Sequence, residues 1–172
     1  GGGSLARYYV SVSYVDEGGM YKVDEGLKDY NTNANYRRWN YRLNVDMDIT
    51  KSTLLKVGVA GSLDKKNEPG MAGNIWASAM RNNPISVPVM YSNGYVPAYG
   101  SENDQLNPWV AATQTGYQET WNNKLQANAT LEQNLNFITK GLKFIGRYGF
   151  DTNNYQWINR KKFPEMWRAE QN

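Results

Sequence analysis

Cysteine and histidine are both absent from the 172 residues. Their absence removes disulfides, Cys/His zinc sites, Ser-His-Asp triads and Cys-His dyads together, so the commonest catalytic and metal-binding constellations are out of reach. Long apolar runs are missing as well. No stretch approaches the roughly 18 residues of a membrane helix, and the mean hydropathy is -0.73, which excludes a helical membrane protein. Charge of one sign is also lacking: 19 Lys and Arg against 16 Asp and Glu leave a net charge of +3. The signs are interspersed, so a pI near 9.0 marks no basic patch, and nucleic acid is not expected as a partner. No charged segment followed by an apolar one opens the chain, so no signal peptide is expected within these residues. The opening "GGGSL" reads either as an engineered linker or as a Gly-rich turn, and the polar ending "RAEQN" carries no aromatic residue to pack a last strand. We read the chain as an internal piece of something longer.

What is present is a strict period of two. Along "YRRWNYRLNVDMDIT", Trp39, Tyr41, Leu43, Val45, Met47 and Ile49 fall on one side, with Arg38, Asn40, Arg42, Asn44, Asp46 and Asp48 on the other. Successive side chains of an extended chain point to opposite faces, so this is a strand with one apolar and one polar wall. After the polar break Thr50-Lys51-Ser52-Thr53 the alternation resumes, with Leu55, Val57, Val59 and Leu63 against Lys56, Ser62 and Asp64. The pair reads as a β-hairpin. The same pattern sets Tyr8, Val10, Val12 and Tyr14 against Arg7, Tyr9, Ser11 and Ser13. It sets Trp121, Leu125, Ala127, Ala129 and Leu131 against Asn122, Lys124, Gln126, Asn128, Thr130 and Glu132, and Leu142, Phe144, Tyr148 and Phe150 against Lys143, Arg147 and Asp151. Strands are expected at about 6–16, 36–49, 53–64, 117–133 and 142–152.

Alternation alone fits two architectures with opposite face assignments. A soluble sandwich buries the apolar wall in a core; a transmembrane barrel turns it to lipid and the polar wall to an aqueous lumen. Strand and loop lengths separate them. Each ribbon sustains its alternation for about the 9 to 11 residues that a tilted strand needs to cross a bilayer, longer than the 5 to 6 typical of sandwiches. Short links, about 50–53 and 134–141, alternate with long ones, about 17–35, 65–116 and from 153 on. The 65–116 stretch carries Pro69, Pro84, Pro88, Pro97 and Pro108, a density that forbids a continuous ladder. Such a loop is uncommon inside a compact sandwich, whereas outer-membrane barrels join their strands by short periplasmic turns and long extracellular loops. The apolar-face aromatics Tyr8, Tyr14, Trp39, Tyr41, Trp121 and Tyr148 lie toward ribbon ends, as interfacial girdles do. An internal echo, "DITKSTLLKVG" and "FITKGLKFIG", suggests that the two tight links are equivalent.

The segments "RYYVSVSYVDEGGMYK", "NYRRWNYRLNVDMDITKSTLLKVGVAGSLD", "NPISVPVMYSNGY" and "NPWVAATQTGYQETWNNKLQANATLEQNLNFITKGLKFIGRYGFD" resemble, in order and spacing, consecutive barrel segments of SusC/RagA-type TonB-dependent outer-membrane transporters. The resemblance covers nearly the whole chain. It implies an all-β fold, residues 1–172 forming a section of a large antiparallel transmembrane barrel of about 22 strands, whose N-terminal plug is not in this chain. It implies the outer membrane of a Gram-negative bacterium, with outer-membrane lipid around the wall and a SusD-like surface lipoprotein over the mouth. It further implies import of oligosaccharides, or in some members peptides, driven by the TonB complex through parts outside this chain. The alternatives are another outer-membrane barrel such as a passive porin, or a soluble carbohydrate-binding β-sandwich.

Candidate residues divide by face. Arg38, Arg42, Asp46, Asp48, Lys56, Lys124, Glu132, Lys143 and Arg147 would line the lumen. Asp46 and Asp48 share a face, but two carboxylates without further ligands make a weak metal signal. They are also same-strand neighbours, unlike the carboxylates that a glycosidase sets across a sugar. No enzyme, cofactor or metal is expected. "NAT" at Asn128 matches a glycosylation acceptor but lies mid-strand. In the long loop Trp76, Tyr91, Tyr95, Tyr99 and Trp109 offer flat faces, and Asn82, Asn83, Asn93, Asn103 and Asp104 offer hydrogen-bonding groups. That mixture suits sugar stacking, a lid protein, or packing of the loop on itself.

Overall fold

The computed structural model describes residues 1–26, 29–85, 87–97 and 106–169. It contains one antiparallel sheet of five strands, β1 (Ala6–Gly18), β2 (Asn35–Thr50), β3 (Thr53–Pro69), β4 (Gly116–Asn134) and β5 (Lys143–Lys161), each beside its sequence neighbour. Two helices, α1 (Ala72–Arg81) and α2 (Pro108–Thr113), lie between β3 and β4. This is the all-β antiparallel character that the alternation predicts.

The chain divides into two compact units. The first holds residues 1–15, 37–64 and 121–156, and the second residues 16–36, 65–120 and 157–172. In the first unit the tight links fall at one end of the sheet. Lys51 and Ser52 form the turn between β2 and β3, and the Asp48 amide donates to the Leu5 carbonyl at 2.9 Å, which places the start of β1 beside that turn. The glycines at the start form no flexible linker here. Gly2 pairs antiparallel with Arg7, and the Gly3 and Tyr8 amides donate to the Ala6 and Gly1 carbonyls at 2.7 and 2.8 Å, so "GGGSL" is a turn.

The first unit has no hydrophobic core among its described residues. Its apolar wall stands open, with Val12 73% and Tyr148 71% accessible and Val10, Leu43, Ile49, Phe144 and Phe150 exposed as well. Tyr14 and Trp39 meet on this wall at 5.3 Å between ring centroids. Among the described residues the buried hydrophobic ones instead belong to the second unit: Met71, Ile75, Val87, Leu106, Val110, Ala111 and Ala112. Five of these form a small cluster under α1 and α2, against which Tyr21 and Met166 pack.

The strands outrun their alternation. β3 continues to Pro69, five residues beyond the expected end at 64, and β5 runs to Lys161, through what was expected to be loop from 153 on. Ladder hydrogen bonds do not require an apolar wall, so a stretch such as Asp64-Lys65-Lys66-Asn67-Glu68 remains paired where the period of two has stopped. Polar groups hold it: Lys65 Nζ meets Glu119 Oε1 of β4 at 3.1 Å, and Asn67 Nδ2 donates to the Asn31 and Asn33 carbonyls, ahead of β2, at 2.9 Å each.

Within the 65–116 stretch the described residues form two helices where an irregular loop is expected. Pro69 and Pro84 bracket α1, and α2 begins with an Asn107 cap followed by Pro108 at its first turn, a common helix-start combination. The two tight links are also not equivalent. Lys51-Ser52 is a two-residue turn, whereas Ile138-Thr139-Lys140 lies inside a longer turn between Asn134 and Lys143, closed by the Asn136 side chain accepting from the Gly141 amide at 2.7 Å.

Candidate functional site

The polar wall is built from alternate residues of all five strands, and cross-strand bonds fix its register. Near the turns, Arg7 of β1 meets Asp48 of β2 at 3.4 Å. Glu132 of β4 joins Lys56 of β3 at 2.6 Å and Lys143 of β5 through its other oxygen. A hydroxyl and amide chain runs beside them: Thr50 Oγ1 donates to Thr53 Oγ1 at 2.8 Å, and Thr53 Oγ1 donates to Gln133 Oε1 at 2.6 Å. Acids and bases at this end are therefore largely paired.

Toward the other end of the same wall the pairing thins. Arg38 Nε donates to Asn40 Oδ1 at 2.9 Å and meets Asp64 at 3.3 Å, and Asn40 Nδ2 donates to Ser13 Oγ at 3.1 Å. These groups border an open groove of about 700 Å³, which Tyr9, Ser11, Arg42, Lys124, Gln126 and Asp151 also line. Among the described residues Arg42 and Lys124 have no hydrogen-bond or ion-pair partner for their side chains. Gly58 is buried, and a Cβ there would lie 2.9 Å from the Asn128 side chain. Ser62, on the groove's lining, is only 5% accessible. Nearer the turns a smaller recess of about 420 Å³ is lined by Lys56, Asn128, Thr130, Glu132 and Arg147.

The sequence-predicted lumen residues thus separate into three sets. Lys56, Glu132, Lys143 and Asp48 are tied into ion pairs. Arg38, Arg42 and Lys124 share the larger groove. Asp46 stands half-buried on β2, and Arg147 lines the smaller recess.

The loop candidates do not converge. Trp76 projects from α1 with 60% of its surface accessible. Tyr91 belongs to a turn in which its amide donates to the Tyr95 carbonyl at 2.8 Å. Tyr95 stacks on Trp167, ring centroids 4.7 Å apart, and the Trp167 amide donates to the Val96 carbonyl at 2.8 Å. Trp109 is half-buried in α2. Tyr99, Asn103 and Asp104 lie outside the described residues.

The asparagines brace the loop. Asn82 Nδ2 donates to the Leu106 carbonyl at 3.1 Å. Asn107 Nδ2 donates to the Pro88 and Val89 carbonyls at 3.2 and 3.1 Å, while its Oδ1 caps the Trp109 amide at 2.9 Å. Asn83 and Asn93 accept from the amides of Ile85 and Tyr95 at 3.0 and 3.1 Å. Of the three uses foreseen for this mixture, self-packing is the one these bonds serve. The sequence signal for the groove was present but diffuse, since Tyr9, Ser11, Gln126 and Asp151 differ in type from other polar-wall residues only through the register that gathers them. No protein-family model matches this chain, and no curated protein matches it.

Proposed function

We propose that this chain is a section of the wall of an outer-membrane β-barrel, and that the barrel is a TonB-dependent importer of the SusC/RagA type in a Gram-negative bacterium. In this reading the apolar wall meets lipid, the polar wall meets the aqueous lumen, and the loops between β1 and β2 and between β3 and β4 face outward. Oligosaccharides or peptides pass along the lumen, a SusD-like lipoprotein closes the mouth, and TonB couples through parts outside this chain. The section performs no chemistry; it is not an enzyme.

The observation that carries the reading is the uncovered apolar wall. Apolar side chains such as Val10, Val12, Leu43, Phe144 and Phe150 stand exposed in a row of strands whose other wall is polar and ion-paired. An apolar area of this kind on a monomer marks a surface that meets something other than water. The strands also exceed the sandwich norm, β4 and β5 at 19 residues each. In lipid the outer edges of β1 and β5 need further strands, because unsatisfied backbone groups there cost several kcal/mol each.

The test is where each wall sits. In the assembled protein a nitroxide at Val45 is expected to be relaxed by lipid-soluble oxygen and shielded from a water-soluble nickel complex, and one at Asn44 to show the opposite preference. A Val45 label inaccessible to both reagents, packed in dry protein, would end the barrel reading and the transport function with it.

A further inference from the structure

Resting on the importer reading, we propose that the larger groove on the polar wall selects acidic saccharides: Arg42 and Lys124 bind the carboxylate or sulfate groups of a sugar chain passing the wall. The groove's charged lining is Arg38, Arg42 and Lys124 against Asp151 alone. Arg38 is already engaged by Asp64 and Asn40, and the two exposed cations on β2 and β4 outnumber Asp151, so the groove keeps a net positive charge. Charge of one sign along a concave surface concentrates solutes of the other sign, and rings of Arg and Lys are how pores favour anions. Each cation offers a charge-assisted hydrogen bond, roughly twice as strong as a neutral one.

The remaining lining argues for a sugar over a peptide. Ser11, Ser13, Asn40 and Gln126 present hydroxyl and amide groups that both donate and accept, as sugar hydroxyls require, and Tyr9 supplies a flat ring. The turn-proximal part of the wall contrasts with this. Lys56 and Lys143 are neutralised by Glu132, so basic side chains alone do not define the site; their lack of partners does.

The test uses the complete protein in detergent micelles and compares trigalacturonate, maltotriose and tri-glutamate by calorimetry. Trigalacturonate is expected to bind at least about tenfold more tightly than either of the others, and more weakly as salt is raised. Arg42→Gln and Lys124→Gln should each lower its affinity about tenfold, Arg42→Lys should retain most of it, and Lys56→Gln should leave it unchanged. Equal binding of trigalacturonate and maltotriose, or no effect of the Arg42 and Lys124 substitutions, would overturn the proposal. Tri-glutamate binding as tightly as trigalacturonate would overturn the assignment to sugars. Nitroxides at Val45 and Asn44 in the same preparation separate this failure from that of the importer reading: a lipid-exposed Val45 with a wet Asn44 confines it to the groove, whereas a dry Val45 removes the wall itself.

Discussion

At the scale of single residues, the two-residue alternation makes neighbouring positions respond oppositely to the same change. Val45 and Asn44 are adjacent on β2 yet face opposite walls. If Val45 faces lipid, arginine there is expected to destabilise the protein by about 2 to 4 kcal/mol, the cost near the bilayer midplane, whereas Asn44→Arg should change stability little; urea unfolding in lipid vesicles measures both. A sharper geometric demand falls on Gly116. Its φ of +84° lies in the left-handed region, and a Cβ there would stand 1.9 Å from the Arg160 carbonyl oxygen. Gly116→Ala should therefore cost more than the ~1 to 2 kcal/mol of left-handed backbone alone, because the obstacle is backbone of the neighbouring strand and cannot rotate away. The same unfolding assay checks it, and an unchanged midpoint would show that the strands separate there at no cost. Gly61 serves the opposite wall in a similar way: a Cβ would meet the Tyr41 hydroxyl at 2.4 Å and the Lys124 carbonyl at 2.4 Å, so the tyrosine ring lies over a position that only glycine leaves open.

At the scale of elements, the strands were legible from sequence because one wall of each is apolar, and they ceased to be legible where that wall ends. The polar continuation of β3 through Lys65, Lys66 and Asn67, and of β5 through Asn153 and Asn154, carries no period to read. Its pairing follows from strands already side by side. The polar wall could be read residue by residue for the same reason, since Arg38, Arg42, Lys56 and Lys124 alternate with the apolar residues of their strands. The partnerships across it could not. That Glu132 takes both Lys56 and Lys143 while Lys124 takes no acid depends on register, which turn geometry sets and alternation leaves open. The helices were missed for a different reason. Proline density draws attention to broken ladders, yet Asn107-Pro108 is also a helix start, and Met71, Ile75 and Ser78 recur at helical spacing on the buried side of α1. Asn107 has the most to lose in this region, being 1% accessible with three hydrogen bonds. Asn107→Ala removes a cap worth about 1 kcal/mol and strands two carbonyls, so a loss of about 2 kcal/mol or more is expected. Hydrogen exchange should accelerate across α2 and at Val87–Val89 while amides of β2 remain protected. Uniform acceleration throughout would mean instead that the loop and the sheet unfold as one.

At the scale of the whole molecule, the decisive property is that short and long connections alternate along the antiparallel sheet. Lys51-Ser52 and the turn between Asn134 and Lys143 are the short ones, and the stretches between β1 and β2 and between β3 and β4 the long ones. In a soluble protein this asymmetry has no consequence for which reagents reach which residue. In a membrane wall it puts the two ends in different compartments, and the chain offers a clean way to ask which, because it has no cysteine of its own. Ser92, exposed in the turn that the Tyr91 amide closes on the Tyr95 carbonyl, and Lys51, exposed in the shortest link, can each be replaced by cysteine without removing a buried contact. With intact cells and a membrane-impermeant maleimide, Ser92→Cys is expected to label fully, and Lys51→Cys to label only once the outer membrane has been permeabilised. Labelling of Lys51→Cys alone in intact cells would keep the wall but invert it, placing the long loops in the periplasm and removing the basis for a surface lipoprotein partner. Equal labelling of both would mean that the strands separate no compartments. The apolar wall of β1, β2 and β5 would then have to be covered by protein, and the lipid-facing assignment would fail at every residue on it.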